Sequence, residues 1–264
     1  MPRRITRIAT LSLAALLAST ALASAAVIRG STGDDFLQGT RRADAITGRP
    51  GDDNIHGYRG ADRVRGGGGD DELFGGAGND VLRADAGFDY VEGGAGHDVL
   101  YGGAGINLLI GQSGDDRLTG GPEQDFLIGD IGNDIASDNL GNDVIDLGQG
   151  DDSITSGAGN DLIVGWTGLD TLDAGAGDDI VFVDHYTCND TTDGSLDCTF
   201  QDDGAQDIVT CGEGNDIVFM PAGQEAQAPA DCERVNPDPN TIVDENEANA
   251  YSRDGSTRTI LGGR

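Results

Sequence analysis

From residue 37 to residue 181 one apolar side chain returns at every ninth position: Leu37, Ile46, Ile55, Val64, Leu73, Leu82, Val91, Leu100, Leu109, Leu118, Leu127, Ala136, Ile145, Ile154, Ile163, Leu172 and Val181. Small and polar residues fill the places between, and only Ala136 is a weak member. Nine is not a helical spacing, since one face of a helix repeats at three and four. A three-residue strand with its middle side chain inward, followed by a six-residue turn, accounts for the period. Such a unit cannot bury its apolar residue alone and must stack on its neighbours, so the pattern predicts an all-β solenoid. Turns are expected at positions one to six of each unit and strands at seven to nine.

A second register runs two residues ahead of the apolar one. It comprises Asp35, Asp44, Asp53, Asp62, Asp71, Asp80, Asp89, Asp98, Asn107, Asp116, Asp125, Asp134, Asp143, Asp152, Asp161, Asp170 and Asp179, sixteen carboxylates and one amide. The unit reads Gly-Gly-x-Gly-x-Asp-x-apolar-x, as in Gly75-Gly76-Ala77-Gly78-Asn79-Asp80-Val81-Leu82-Arg83. Glycine suits a tight turn with positive φ and close backbone approach, and its fourth-position place is kept in fifteen units of seventeen, Arg42 and Glu123 excepted.

On these residues the chain resembles the RTX, or haemolysin-type, calcium-binding repeat family over residues 30 to 182. The resemblance implies a parallel β-roll, two repeats per coil, that binds multiple Ca2+ ions. Each ion would lie between consecutive turns of one column, held by the aspartates and by carbonyls of the glycine loops. Eighteen-residue stacking sorts the ladder into two columns, Asp35 to Asp179 through Asn107, and Asp44 to Asp170. Calcium takes six to eight oxygen ligands, and carboxylates stacked about 4.8 Å apart repel without a counter-ion. Pairs eighteen residues apart number 17 − 2 = 15, and filling them all would add 30 positive charges. Poor sites are expected near Asn107, Arg42 and Glu123, and where Asp138, Leu147 and Ser156 replace the first glycine. A metal-free solenoid with Asp and Gly as turn formers is the alternative; the strict carboxylate register favours metal. One buried apolar residue per nine does little against the entropy of ordering them, so the roll is expected to fold only on calcium.

Beyond Val181 the period breaks at an acidic insertion, 184 to 204, and returns as Asp207-Ile208-Val209 and Gly214-Asn215-Asp216-Ile217-Val218. Asp207 and Asp216 join the expected metal ligands. The step from 179 to 207 is 28, one more than three periods, which suggests a bulge. A solenoid end must cover its last apolar layer, a task open to Phe219, Met220 and Val235. Cys188, Cys198, Cys211 and Cys232 allow three pairings; Cys188 to Cys198 and Cys211 to Cys232 are preferred because each closes a local loop. A cysteine metal site is the competing reading, disfavoured by the lack of a Cys-x-x-Cys spacing. The expected divisions are a signal peptide (1 to 26), the roll (27 to 182), an insertion with resumed repeats and a disulfide-containing cap (183 to 235), and a flexible polar tail (236 to 264).

Composition narrows the function classes. The formal charge is −31 and all sixteen basic residues are arginine, which argues against nucleic acid and towards cations as partners. Arg3, Arg4 and Arg7 ahead of an apolar stretch, with Ala23-Ser24-Ala25-Ala26 after it, have the layout of a secretory signal peptide. Its removal would leave −31 − 3 = −34. The general secretory route is preferred to twin-arginine export, and a retained membrane anchor is disfavoured because Ser and Thr interrupt the stretch. A secreted, extracellular protein without integral membrane association follows.

No enzyme is expected. The repeats begin almost at once after the leader, His56, His97 and His185 are scattered, and neither His-Glu-x-x-His nor Gly-x-Ser-x-Gly occurs. Phe36, Phe74, Tyr90, Tyr101, Ile110, Phe126, Ile128 and Phe182 should lie on outer sheet faces, where a row could bind a glycan or other partner. The arginines crowded between residues 29 and 83 have two open roles, neutralising nearby aspartates or docking an anionic cell-surface polymer, and the first is favoured. Oligomeric state is left open by the sequence.

Overall fold

The structure is a computed structural model that describes residues 25–183, 185–190, 196–201, 207–220, 232 and 234–235. The expected signal peptide and polar tail lie outside the described residues, apart from positions 25 and 26. All regular structure among the described residues is β, and almost all of it is parallel. Strands alternate between two sheets along the chain. One sheet of ten strands begins Val27–Arg29, Ala45–Pro50, Arg63–Gly68 and ends at Ile208–Thr210; the other, of eleven, begins Phe36–Gln38, Asn54–Arg59, Glu72–Ala77 and ends at Ile217–Phe219 and Arg234–Val235. Pairing is offset by eighteen residues throughout the roll, as in Ile46↔Val64 and Leu73↔Val91.

The inward residue of every unit is buried, from Leu37 at 8% exposure to Ile55 and Leu100 at 0%. These side chains form one cluster between the sheets. Ala136 keeps its place in it, so a single small residue thins the stack without breaking it.

Position one also faces inward. It carries Ala84, Leu147, Ala174 and Cys211 into the same core, and Ser156 is buried there with its hydroxyl donating to the Ala174 carbonyl. Glycine at most of these positions had concealed the direction, because a residue without a side chain reports no facing.

The division into turn and strand holds in the C-terminal half, where strands such as Ser153–Thr155 and Thr171–Asp173 span three residues. In the N-terminal half it does not. Strands such as Ala45–Pro50, Glu72–Ala77 and Val99–Ala104 continue through positions one to three of the next unit. There position two is paired across coils in a left-handed conformation, as in Arg49↔Gly67 and Tyr58↔Gly76. Arg49, Tyr58, Asp85, Gln112, Asp130 and Trp166 hold φ between 72° and 89° at this position. That conformation costs a non-glycine residue about 1–2 kcal/mol, so stacking forces it against local preference.

The break after Val181 is the expected insertion, and the repeats resume after it without the expected bulge. Leu172 pairs with Val209 and Val181 with Val218, offsets of 37, or 18 + 19. Nineteen extra residues therefore leave and re-enter at the same phase. Within them His185–Asp190 and Leu196–Gln201 form an antiparallel hairpin whose register sets Cys188 opposite Cys198; their side chains lie outside the described residues. Cys211 is bonded to Cys232, as preferred from sequence. A covalent closure of this span contributes about 3 kcal/mol through the unfolded state. It ties the final strand, Arg234–Val235, beside Ile217–Phe219, with Val235 in register with Val218. Met220 is buried in the main core. Phe219 instead packs on Phe182, ring centres 4.7 Å apart, in a second cluster with Leu162. It belongs to the outward side of its strand, so it is not the expected end cover.

The two outer faces differ. Six of the eight outward residues singled out above lie on the eleven-stranded sheet with Phe182, whereas the eighth, Tyr101, lies on the ten-stranded one beneath the Arg83 guanidinium, 4.0 Å from its ring centre. The arginines do not neutralise the ladder. Among the described residues Arg65 alone is ion-paired, with Asp85, which is not a ladder residue.

Because the insertion re-enters in phase, removing residues 185 to 203 restores an eighteen-residue step from Asp170 to Asp207. The shortened chain is expected to keep its strand circular dichroism in calcium and to change in stability by less than about 1 kcal/mol, since it exchanges one surface loop for a shorter one.

Candidate metal centre

From Asp44 onward each ladder carboxylate stitches two coils. The Asp71 Oδ1 accepts the N–H of Asp53 at 2.8 Å, the Asp80 Oδ1 that of Asp62 at 2.7 Å, and the Asp134 Oδ1 that of Asp116 at 2.7 Å. Both columns repeat the contact, and it survives the insertion, where Asp207 accepts from Asp170 and Asp216 from Asp179. Asp44 to Asp179, with Asp216, are buried; Asp35 and Asp207 at the margins are half-buried.

The second oxygen has no such employment. Oδ2 of Asp53, Asp62, Asp71, Asp80, Asp89, Asp98, Asp116, Asp134, Asp143, Asp152 and Asp179 is buried without a hydrogen-bond partner. In units that keep glycine at position one, such as those of Asp62 and Asp80, it points into the turn at that glycine, beside a carbonyl of the next coil. A Cβ built on Gly75 would lie 2.6 Å from Asp80 Oδ2 and 2.5 Å from the Gly93 carbonyl oxygen. Gly57 faces Asp62 Oδ2 and the Gly75 carbonyl in the same way, at 2.5 and 2.6 Å. Glycine thus keeps open a space bounded by a carboxylate oxygen and a carbonyl oxygen, the donor set a hard cation takes.

Stitching alone would not demand aspartate. Asn107 performs it, its Oδ1 accepting the Asp89 N–H at 3.3 Å, while its Nδ2 donates to the Gly105 carbonyl at 3.0 Å. The amide satisfies itself where the carboxylate leaves an oxygen over. Sixteen aspartates against one asparagine are therefore explained by the spare oxygen.

Burial is the main reason these carboxyls titrate high, with neighbouring carboxylates adding to it. Asp62, Asp80, Asp89, Asp98 and Asp134 are pushed up to about 6, Asp71, Asp116, Asp152 and Asp179 to about 7, and Asp143 to about 8. The first rung of each column is built differently. Asp35 Oδ2 accepts the Ser31 N–H at 2.5 Å and Asp44 Oδ2 the Thr40 N–H at 2.6 Å. These two are satisfied by protein and are the least suited of the eighteen to an ion.

A further ladder escaped the sequence reading. At position five, exposed Asp and Asn side chains accept the N–H one coil later, as Asp34 does from Asp52, Asp52 from Asp70 and Asn133 from Asp151. His97 takes the same part, its Nδ1 accepting from Asp115 at 2.7 Å. It thus has a structural duty beyond its place on the surface. Its signal was the recurrence of Asn or Asp one residue ahead of the main ladder.

The fold and site define a parallel β-roll whose stacked turns present pairs of carboxylate and carbonyl oxygens to cations. The pattern of the RTX calcium-binding nonapeptide repeat matches in nine overlapping windows, from 29–64 to 157–184, which together cover residues 29 to 184 without a gap. The chain belongs to that family, and it is a calcium-binding repeat protein. No curated protein matches the chain at a significant level.

A carboxyl that titrates above its unfolded value of 3.8 stabilises the fold while protonated. That contribution is whole below about pH 4 and is lost as pH rises through the folded values of about 6 to 8. Metal-stripped protein is accordingly expected to be most structured in acid and to loosen from pH 6 to 8. Calcium-loaded protein should show the opposite trend, because the ligating oxygens must be ionised. Circular dichroism across pH in the two states checks this; equal strand signal at pH 5 and pH 8 without metal would contradict it.

Proposed function

We propose that this is a secreted calcium-binding protein whose roll forms when ions enter between its coils, and that it serves outside the cell as a structural or interaction module. One observation carries the reading: a row of buried carboxylate oxygens, such as those of Asp71, Asp80 and Asp116, with neither hydrogen-bond partner nor ion pair among the described residues. Calcium, when bound, supplies the positive charge that such oxygens require. The chain's own part is to hold one oxygen of each carboxylate by a backbone N–H, to keep the turn open with glycine, and to bury the arrangement. The leader-like N-terminus and the Cys211–Cys232 bond support an oxidising, extracellular setting. Among the described residues no helix is long and apolar enough to cross a membrane. Catalysis is not part of the proposal, since the abundant carboxylates are each tethered to a neighbouring coil.

Calcium titration of metal-stripped protein, followed by scattering and circular dichroism, tests the coupling. Compaction and strand signal should rise together, with a midpoint of about 0.1–1 mM, the range of extracellular modules. A chelated chain as compact and protease-resistant as the loaded one overturns the proposal.

A second reading has its own observation. On the outer face of the eleven-stranded sheet Phe36, His56, Phe74 and Tyr90 succeed one another with ring centres 4.6 to 5.6 Å apart, and His56 stacks on Phe74. Stacked rings on a rigid face suit the apolar faces of a surface glycan, which would make the protein a calcium-dependent adhesin. Glycan binding to the calcium-loaded protein, weakened about tenfold or more in Phe74→Ala, supports this; unchanged binding in the variant removes it.

A further inference from the structure

Asp138 is where the chain departs from its repeat with chemistry in hand. It stands at position one, the inward place that glycine or a core residue holds elsewhere, and it is only 4% exposed. Its carboxylate does not join the core. It turns to the column of Asp125 and Asp143, and one carboxylate oxygen from each of the three lies within 4.8 Å of the others. Oδ1 of Asp138 is clamped by the N–H groups of Gly121, at 3.1 Å, and Asn139, at 2.8 Å. Oδ2 is buried without a hydrogen-bond partner, as is Oδ2 of Asp143. Gly120 keeps the gap open: a Cβ there would collide with Oδ2 of both Asp138 and Asp125. The Arg65–Asp85 ion pair does not touch this cluster, nor does His97, which lies beside Asp115.

We infer that Asp125, Asp138 and Asp143 form a calcium site distinct from the regular ladder, and that it fills before the others. The inference rests on the calcium reading above. At the ordinary inter-coil positions two ladder carboxylates face each other, and here a third is added from outside the ladder. The number of charged ligands helps set calcium affinity in oxygen sites, and it is higher here; Oδ1 of Asp138 is moreover held by two N–H groups where that of Asp143 accepts the Asp125 N–H. The rung before Asp125 in the same column is the opposite case, because Asn107 brings an amide in place of a carboxylate. The column thus loses a charge at 107 and gains one at 138. The residue that breaks the repeat's first position creates its strongest site.

Calorimetric calcium titration of the full chain tests this, with circular dichroism at saturating calcium to confirm folding. Wild type is expected to show one ion bound about ten- to a hundredfold more tightly than the rest. Asp138→Asn, which keeps the shape, and Asp138→Gly, which restores the repeat's own residue, should each abolish that step. The remaining uptake and the strand signal should stay. Asn107→Asp, by contrast, should add to the ordinary class and leave the tight step in place. A tight step unchanged in both Asp138 variants, or a wild type that titrates as a single class, overturns the inference while the general calcium reading stands. Absence of calcium uptake in every variant, wild type included, overturns both.

Discussion

A buried carboxylate oxygen that nothing in the protein answers is the constraint on which this molecule is organised. Coils such as that of Asp71 and Asp80 bring two of them inside, one per column, and strand stacking sets each beside the next. Burial without a partner is costly for a polar atom and more so for a charged one, and the raised titration of Asp71, Asp116 and Asp143 records that cost. The protein offers two escapes, a proton or a cation. Protonation restores neutrality in acid and supplies a single O–H, which can serve one carbonyl. A cation engages both kinds of oxygen at once, and at glycines such as Gly57 and Gly75 a side chain would crowd the gap it occupies.

The rest of the coil follows from serving that site with very little core. Each unit contributes one deeply buried apolar residue and sometimes a second at position one, so the interior is one side-chain layer thick. Left-handed residues such as Arg49, Tyr58 and Trp166 add backbone strain at the turns. The coil is also rich in stitches that need no core: ladder N–H groups to Oδ1, position-five side chains to the N–H one coil on, and the parallel backbone pairing itself. These act only between neighbouring coils, so order must spread from one coil to the next. A site that binds early near the middle of the stack, as argued for Asp138, would give that spread a starting point with coils on both sides to recruit.

Much of this was legible because a strict period exposes direction. Position eight announced the core, position six the ladder, and the eighteen-residue step the two columns, since any side chain held at one phase seventeen times must face one way. What the sequence hid was hidden for physical reasons. Position one is mostly glycine, and glycine has no side chain to show that it faces inward, so Asp138 read as damage to a site when it is an added ligand. The position-five ladder is defined by hydrogen-bond acceptance, which Asp, Asn and His97 all supply, and a search by residue type passes over it. The insertion itself was legible, but its phase was not, because the step of 28 along the chain read as one residue more than three periods. Across the stack the step is 37, and the phase is intact.

The two outer faces show how little of a solenoid's surface its period determines. Positions seven and nine point outward in every unit and carry no shared duty, so their residues vary by sheet. On one sheet Phe36, His56, Phe74 and Tyr90 stack on one another and pass into an aliphatic run towards Leu162, Phe182 and Phe219. On the other, Arg29, Arg63, Arg65 and Arg83 cluster near the N-terminal end, and only Arg65 is spent on an ion pair. These four lie on the sheet face, an inward-pointing residue away from the columns, whereas Arg41, Arg42, Arg49 and Arg59 occupy positions two to four on the turn side. Among the described residues none of either group is ion-paired to a ladder aspartate. The charge of the ladder is therefore left for ions to balance.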